Sequence, residues 1–591
     1  MHWCVLRRTS NDDLMTRHFT FGLNQYATVA LAAAAALLLA HFLAAKSASQ
    51  ATLATTHMVV TADKHASYAA RQILRDGGSA VDAAVAAHLV LSLVEPQSAG
   101  IGGGLYMLVS DGSGQMQGYD GRETAPASAS PGMFLDPSGK PRPYAEIATG
   151  GLPVGVPGAV AALWKAHQRY GKLPWQTLFR PAIALATNGF EISSRLADDI
   201  KELDSARLPA NVRSVYFNND GSTRRTGEIL RDMEYARSLN LIAREGPKAF
   251  YEGPIADAIV SEVNRSPVRP GLMTRMDLKN YHAKEVAPLC RHYRGFRMCS
   301  LPPSTSGGVT VLQILALLEP FPRDKLTPGT LSNAHLLSQA QRLAYADRRR
   351  WLADPDFVPV PTQGLLNSDY LKQRAGLIRD DRDMGAVSAG MPPAAGSIHH
   401  VPQRSPARRG TSHLSIVDRF GQVVSMTMSI QAGFGAQIRS AGFLLNNELT
   451  DFSMEPVIDG KPVANAPAPG KRPLSAMGPF IVFRPDGKFH AAIGSPGGED
   501  IISYNAQALS ALVDGDVPMA QLVSYPHVLS ANETTILERA PFQVWTAVGL
   551  WAKGHKVRFR QLRSGLNGIR MDGTKLEGAT DPRGVGAAMG D

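Results

Sequence analysis

From Thr411 to Val417 polar and apolar side chains alternate with period two, the pattern of a half-buried strand. The residues ahead of it, 388–410, are rich in Pro, Ala, Gly and Ser and read as a mobile surface segment. Similar short patterns predict strands at Met58–Thr61, Tyr106–Val109, Gln115–Tyr119, Phe443–Leu445 and Phe489–Ile493. A helical period takes over from Ala66 to Arg75, stopped by Gly77-Gly78, and again from a Ser79 cap to about Val94, just before Pro96. Residues 150–380 are mostly helical by period, and Leu336, Leu337, Ala340, Leu343 and Ala344 give one long helix an apolar face. Asp418-Arg-Phe-Gly421 suits a type I turn closed by a left-handed Gly, a three-residue hairpin loop. That loop pairs 417 with 423, and hence Thr411 with Ser429.

One apolar run stands apart. Residues Ala27 to Ala45 are interrupted only by His41, with Arg17 and His18 before them and Ser47-Ala-Ser-Gln-Ala51 after. A charged start, an apolar middle and a small-residue end predict a targeting segment over 1–51 and export to the periplasm or medium. An uncleaved membrane anchor is the alternative, and no later segment is long and apolar enough to span. Cys290 and Cys299 flank a hairpin pattern whose two-residue turn, Arg294-Gly295, sets them opposite each other. Export permits a disulfide between them; two free buried thiols are the alternative.

The net charge of +10 changes little. Its basic residues are scattered, and the clusters at 348–350 and 404–409 lack interleaved aromatics, so no nucleic-acid partner is expected. Ala99-Gly-Ile-Gly-Gly-Gly104 lacks the strand–GxGxxG–helix setting and acidic residue of a dinucleotide loop, so no cofactor is expected. His399-His400 has no partner pattern, so no metal is expected either.

Chemistry enters where the two halves of the opening pattern meet, at Gly410–Thr411. Cutting that bond gives Thr411 a free α-amine beside its hydroxyl. An α-amine of pKa about 7.7–8 can act as general base at neutral pH, so one residue holds both nucleophile and base. An ordinary strand opening on a β-former is the alternative. Gly497 and Gly498, after the Phe489–Ile493 strand, can aim consecutive N–H groups at an oxyanion.

Gly410-Thr-Ser-His-Leu-Ser-Ile-Val-Asp418 resembles the processing site of the γ-glutamyltransferase family. Further matches follow in order: Arg122-Glu-Thr-Ala-Pro126, Ala344-Tyr-Ala-Asp-Arg348, Gly442-Phe-Leu-Leu-Asn-Asn-Glu-Leu-Thr-Asp451, Lys471-Arg-Pro-Leu-Ser475 and Gly494-Ser-Pro-Gly-Gly498. The resemblance implies an α+β fold, the four-layer αββα sandwich of N-terminal nucleophile hydrolases. It implies a precursor cut at Gly410–Thr411 into a larger chain (52–410) and a smaller one (411–591) that remain a heterodimer. Thr411 then attacks γ-glutamyl amides such as glutathione, and water or an amine acceptor resolves the ester. By the same resemblance Ser429 assists Thr411, Gly497 and Gly498 hold the oxyanion, Arg122 and Ser475 bind the substrate α-carboxylate, and Glu448, Asp451 and Gln431 bind its α-ammonium. Two departures bear on substrate. Ala476 stands where the family has a second Ser, and 453–470 is short for a lid and contains no Tyr. A glutaryl or cephalosporin-type acylase is the enzymatic alternative, and an uncleaved binding protein the non-enzymatic one.

Overall fold

The computed structural model describes residues 50–396, 400–403 and 410–591. Two seven-stranded antiparallel sheets carry the fold. In chain order their strands are β1 (Thr52–Ala54), β2 (Met58–Thr61), β3 (Gly104–Ser110), β4 (Met116–Gly121), β5 (Lys284–Val286), β6 (Leu289–Tyr293) and β7 (Phe296–Ser300). Then follow β8 (Thr411–Val417), β9 (Val423–Ser429), β10 (Phe480–Phe483), β11 (Phe489–Gly494), β12 (Asn567–Asp572), β13 (Lys575–Thr580) and β14 (Ala587–Gly590). The first sheet runs β14-β2-β8-β9-β3-β4-β5, the second β1-β13-β12-β11-β10-β7-β6.

Three hydrophobic clusters define four layers. One joins the outer face of the first sheet (Val59, Met107, Leu414, Ile416, Met426) to helices α1 (Lys64–Arg75) and α2 (Ala80–Val94). A second joins the outer face of the other sheet (Met298, Val482, Ala491, Ile493) to α3 (Gly307–Leu318), α4 (Leu331–Trp351) and α5 (Asp500–Asp514). The third lies between the sheets, with Val60, Leu108, Val417, Ile481 and Ala492. This is the αββα sandwich. Ser79 caps α2 with a full capping box, its side chain accepting from Asp82 N while Asp82 bonds the Ser79 N–H.

The hairpin between β8 and β9 closes with Gly421 at φ +79° and the register the loop chemistry requires, Val417 opposite Val423 and Thr411 opposite Ser429. One expectation changes: β8 is buried on both faces. Its polar face, Ser415 and His413 included, turns to the second sheet instead of to water, and its apolar face to α2. Period two therefore distinguishes two kinds of burial here, where the pattern alone suggests burial and exposure.

The first part of 388–410 is docked. Gly390 N donates to Asp347 Oδ1 at 2.8 Å, Trp351 Nε1 donates to the Gly390 carbonyl at 3.0 Å, and Ala395 is buried. Gln403, also buried, donates its N–H to the Arg349 carbonyl at 3.0 Å. Residues 397–399 and 404–409 lie outside the described residues, as does the targeting pattern over 1–49. Among the described residues no helix is long and apolar enough to cross a membrane. Cys290 faces Cys299 across the β6–β7 hairpin, Cα atoms 4.1 Å apart, and a disulfide joins them.

Candidate active site

Thr411 opens β8, and its side chain shares the face that looks toward the second sheet. Its partner across the hairpin is a non-hydrogen-bonded one, the kind that brings side chains closest. Thr411 Oγ1 lies 3.4 Å from Ser429 Oγ, and Ser429 Oγ donates to the Gly410 carbonyl at 2.8 Å. The Gln431 N–H in turn donates to Ser429 Oγ at 2.7 Å, which fixes the hydroxyl. Close backbone approach makes this possible: a Cβ on Gly103 would collide with the Ser429 carbonyl, and one on Gly102 with that of Leu444. Two residues on, His413 is fully buried, its Nδ1 2.8 Å from Thr427 Oγ1, and burial pushes its pKa down to about 3. A neutral imidazole in that position packs the strand and cannot serve as an acid near neutral pH.

The glycine turn meets Thr411 from the second sheet. β11 ends at Gly494, and Gly497 (φ +138°) and Gly498 (φ +61°) lead into α5. Their carbonyls accept from the Asp500 and Ile501 N–H groups, while their own N–H groups have no hydrogen-bond partner among the described residues. Two unused donors at the start of a 15-residue helix make a place suited to a developing anion.

Thr411 borders two cavities. The narrow one, about 40 Å³, is lined by Ser429, Gln431, Glu448, Asp451, Ser475, Ala476 and Gly498, with Arg348, Gln403 and Glu499. The wider one, about 540 Å³, takes in Gly410, Gly497, Gln97, Arg195, Asp199 and Arg563. No residue of 453–470 lines either; that segment instead carries a small hairpin, Val457–Ile458 with Lys461–Pro462.

Acceptors dominate the narrow cavity. Gln431, held at φ +80°, donates Nε2 to Asp451 Oδ1 at 2.9 Å and leaves its own Oε1 buried without a partner. Glu448 Oε2 is likewise buried and unpartnered. Burial raises the Glu448 carboxyl to about 7, with the Asp451 charge adding and Arg122 opposing. Unpaired buried acceptors call for a ligand that donates N–H groups.

Arg122 is brought to the site but stands behind these acids. It is fully buried and does not line the cavity. It bonds Glu448, donates Nη2 to Asp451 Oδ2 at 2.6 Å, and donates Nε and Nη2 to the carbonyls of Pro473 and Leu474. Glu123, also fully buried, lies 3.7 Å from Arg122 Nη1, and burial holds its carboxyl well above the usual range. A substrate carboxylate reaches Arg122 only in exchange for one of these partners, and the half-open Asp451 is the one it can displace. Ser475 does line the cavity, and its Oγ accepts from the Met477 N–H at 3.1 Å, leaving its proton to donate.

Sequence reasoning passed over Arg348, Glu499 and Ser306. The run Ser304-Thr-Ser306 serves as a clamp: Thr305 Oγ1 bonds the Met477 carbonyl, and Ser306 bonds that of Ser475 through both N–H and Oγ. An Arg in the last turn of a helix ordinarily reads as solvated, and only the three-dimensional meeting of α4 with α5 buries this one. Among the described residues no cluster of three or more His, Cys, Asp or Glu is arranged to hold a metal.

A four-layer αββα sandwich with a polar cleft where the two sheets meet is the architecture of N-terminal nucleophile hydrolases. The chain belongs to the gamma-glutamyltranspeptidase family, whose sequence profile matches residues 66–591. It is 37% identical over 543 residues to the glutathione hydrolase proenzyme of Escherichia coli K12, covering 89% of this chain and 90% of that one. It is 34% identical to the acylase ACY 1 proenzyme of Pseudomonas sp. V22, covering 90% and 93%. The crystal structure of a cephalosporin acylase from Bacillus halodurans matches with a TM-score of 0.79 at 26% identity, over 92% of this chain and 97% of that one.

Proposed function

We propose that the chain is a self-cleaving γ-glutamyl hydrolase and transferase acting on glutathione-like amides. The observation that carries this reading is the narrow cavity beside Thr411, where Gln431 Oε1 and Glu448 Oε2 wait unpaired for an ammonium. In the first reaction Thr411 Oγ attacks the Gly410 carbonyl carbon, polarised by Ser429, and the C–N bond breaks to leave an ester. The departing nitrogen takes the hydroxyl proton and becomes the Thr411 α-amine. Water then hydrolyses the ester, returning the Thr411 hydroxyl and leaving a Gly410 carboxylate, to give chains 52–410 and 411–591 after removal of the targeting segment.

In the second reaction the α-amine takes the hydroxyl proton as Oγ adds to the γ-carbonyl. The oxyanion is held by Gly497 and Gly498 N–H, donors of the kind worth roughly 3 kcal/mol each. The amide C–N bond then breaks and the departing amine receives the proton. Water or an acceptor amine repeats the addition on the ester and releases Thr411. Glu448, Asp451 and Gln431 hold the α-ammonium and Ser475 donates to the α-carboxylate, while Arg122 stands behind Glu448 and Asp451 and holds both acids in place. No cofactor or metal enters these steps, and an exported enzyme in the periplasm or medium suits them.

A glutaryl-type acylase is the second reading, favoured by Ala476 and by the absence of 453–470 from the cavity linings. Turnover of γ-glutamyl and glutaryl anilides by the purified protein separates the two. A faster glutaryl reaction would reverse the assignment, and a single uncut band with no turnover of either would leave a binding protein.

A further inference from the structure

The narrow cavity carries three carboxylates, Glu448, Asp451 and Glu499, and one cation, Arg348. Arg348 lies in the last turn of α4 and is only 3% exposed. Its guanidinium is part-used. Nε donates to Ser306 Oγ at 2.8 Å and Nη1 to Glu499 Oε1 at 2.7 Å, while Nη2 has no hydrogen-bond partner among the described residues. Arg348 lines the cavity, so its spare N–H groups can donate to an acceptor that enters it.

The position of that spare nitrogen matters. Ser306, which Arg348 holds, donates twice to the Ser475 carbonyl, so Arg348 is one hydroxyl away from the Ser475–Ala476 peptide. Ala476 lines the same cavity with a methyl group and offers no donor of its own. Arg122, the other cation of the site, has each of its nitrogens engaged. A carboxylate over Ser475 and Ala476 would find one hydroxyl and one part-used guanidinium, a charge-assisted donor and stronger than a neutral one.

We propose that Arg348 is a specificity-determining residue that binds the carboxylate of the acyl donor, in the space Ala476 leaves open. This rests on the γ-glutamyl reading above, though it holds equally for any acyl group ending in a carboxylate at that distance. The rival role for Arg348 is positioning alone, since through Ser306 and Glu499 it ties the Ser475 turn to the residue after Gly498.

Three anilides separate these roles in the full-length, self-processed enzyme. The γ-glutamyl donor has both carboxylate and ammonium, the glutaryl donor only the carboxylate, and the 4-aminobutanoyl donor only the ammonium. Arg348→Met should lower kcat/KM about ten-fold or more on the first two, as expected for a lost charge-assisted bond, and stay within about two-fold on the third. Arg348→Lys, which keeps the charge but not the fork, should recover part of the loss. Equal losses on all three donors, with Lys no better than Met, would overturn the proposal in favour of positioning. No loss on any donor would overturn it outright. Arg348→Met with Glu499→Gln removes the stranded carboxylate, and its two-band pattern on a denaturing gel reports folding independently of turnover. If the wild type cleaves none of the three, the functional reading itself falls. A loss confined to the carboxylate donors cannot arise from misfolding.

Discussion

Ser429 Oγ donates to the carbonyl oxygen of Gly410 at 2.8 Å while sitting opposite Thr411 in the hairpin. The Ser429 hydroxyl, 3.4 Å from Thr411 Oγ1, is thus spent on the carbonyl before Thr411, and the Gln431 N–H keeps it aimed there. Ser429 is read best as an electrophilic aid to self-cleavage, and its effect on turnover as secondary.

Ser429→Ala should therefore slow self-cleavage by roughly 10²-fold or more, the usual effect of losing one donor to a developing oxyanion. A gel time course of freshly folded precursor measures it, with Thr411→Ala remaining a single band throughout. A Ser429→Ala precursor that matures at the wild-type rate would remove Ser429 from the processing step.

Glu448 sets a pH dependence of its own. Burial raises its carboxyl to about 7, so its charge is gained as pH rises through that value and lost as pH falls through it. A ligand ammonium binds the charged form. The inhibition constant of free glutamate should thus worsen by up to about ten-fold from pH 8 to pH 6, following the ionised fraction. Glutarate, which has no ammonium, should lack this trend, and Glu448→Gln should flatten it for glutamate.

Arg122→Ala should cost stability as well as turnover. It strands Glu448 and Asp451, and takes from the neighbouring Glu123 the cation 3.7 Å away, so a loss of about 3–5 kcal/mol is expected. Denaturant midpoints measure this. A variant of unchanged stability that has lost only γ-glutamyl turnover would instead make Arg122 a direct substrate ligand with little structural role.

Ala476→Ser restores one neutral donor beside Ser475, a bond of about 1 kcal/mol, or about five-fold in affinity. KM for γ-glutamyl anilides should drop by a few-fold, with the ratio of transfer to hydrolysis unchanged. A changed ratio would show that this position also governs acceptor access.

Gly494→Ala tests the packing beneath the site. A Cβ there would collide with the His413 ring, two residues from Thr411 on the facing sheet. Overpacking of this kind costs about 1–3 kcal/mol, and a lower urea midpoint with slower self-cleavage is expected.

What the sequence made legible follows from the range of the interactions involved. The α2 cap and the β8–β9 register depend on residues within a few positions of each other, Ser79 with Asp82 and Asp418 with Gly421, and both could be read directly. Resemblance implied residues for the site, but it could not say which of them face the cavity. Arg122 stands behind the acids and Arg348 within the lining because distant segments cross there, and no local pattern records that crossing. Nor could composition show that Gly390 and Gln403 dock against α4, since their partners are Asp347, Trp351 and Arg349 on a helix well upstream.

Strand order has a consequence for the proposed cleavage. In the first sheet β2 lies between β14 and β8, and in the second β1 hydrogen-bonds β13 while β7 hydrogen-bonds β10. Strands from before and after Gly410 are therefore interleaved in both sheets, and Asp591 ties back to Arg75 at 2.6 Å. If the Gly410–Thr411 bond is cut as proposed, neither piece can leave without unzipping ladders in both sheets at once. Differently tagged mature molecules should not trade subunits on mixing.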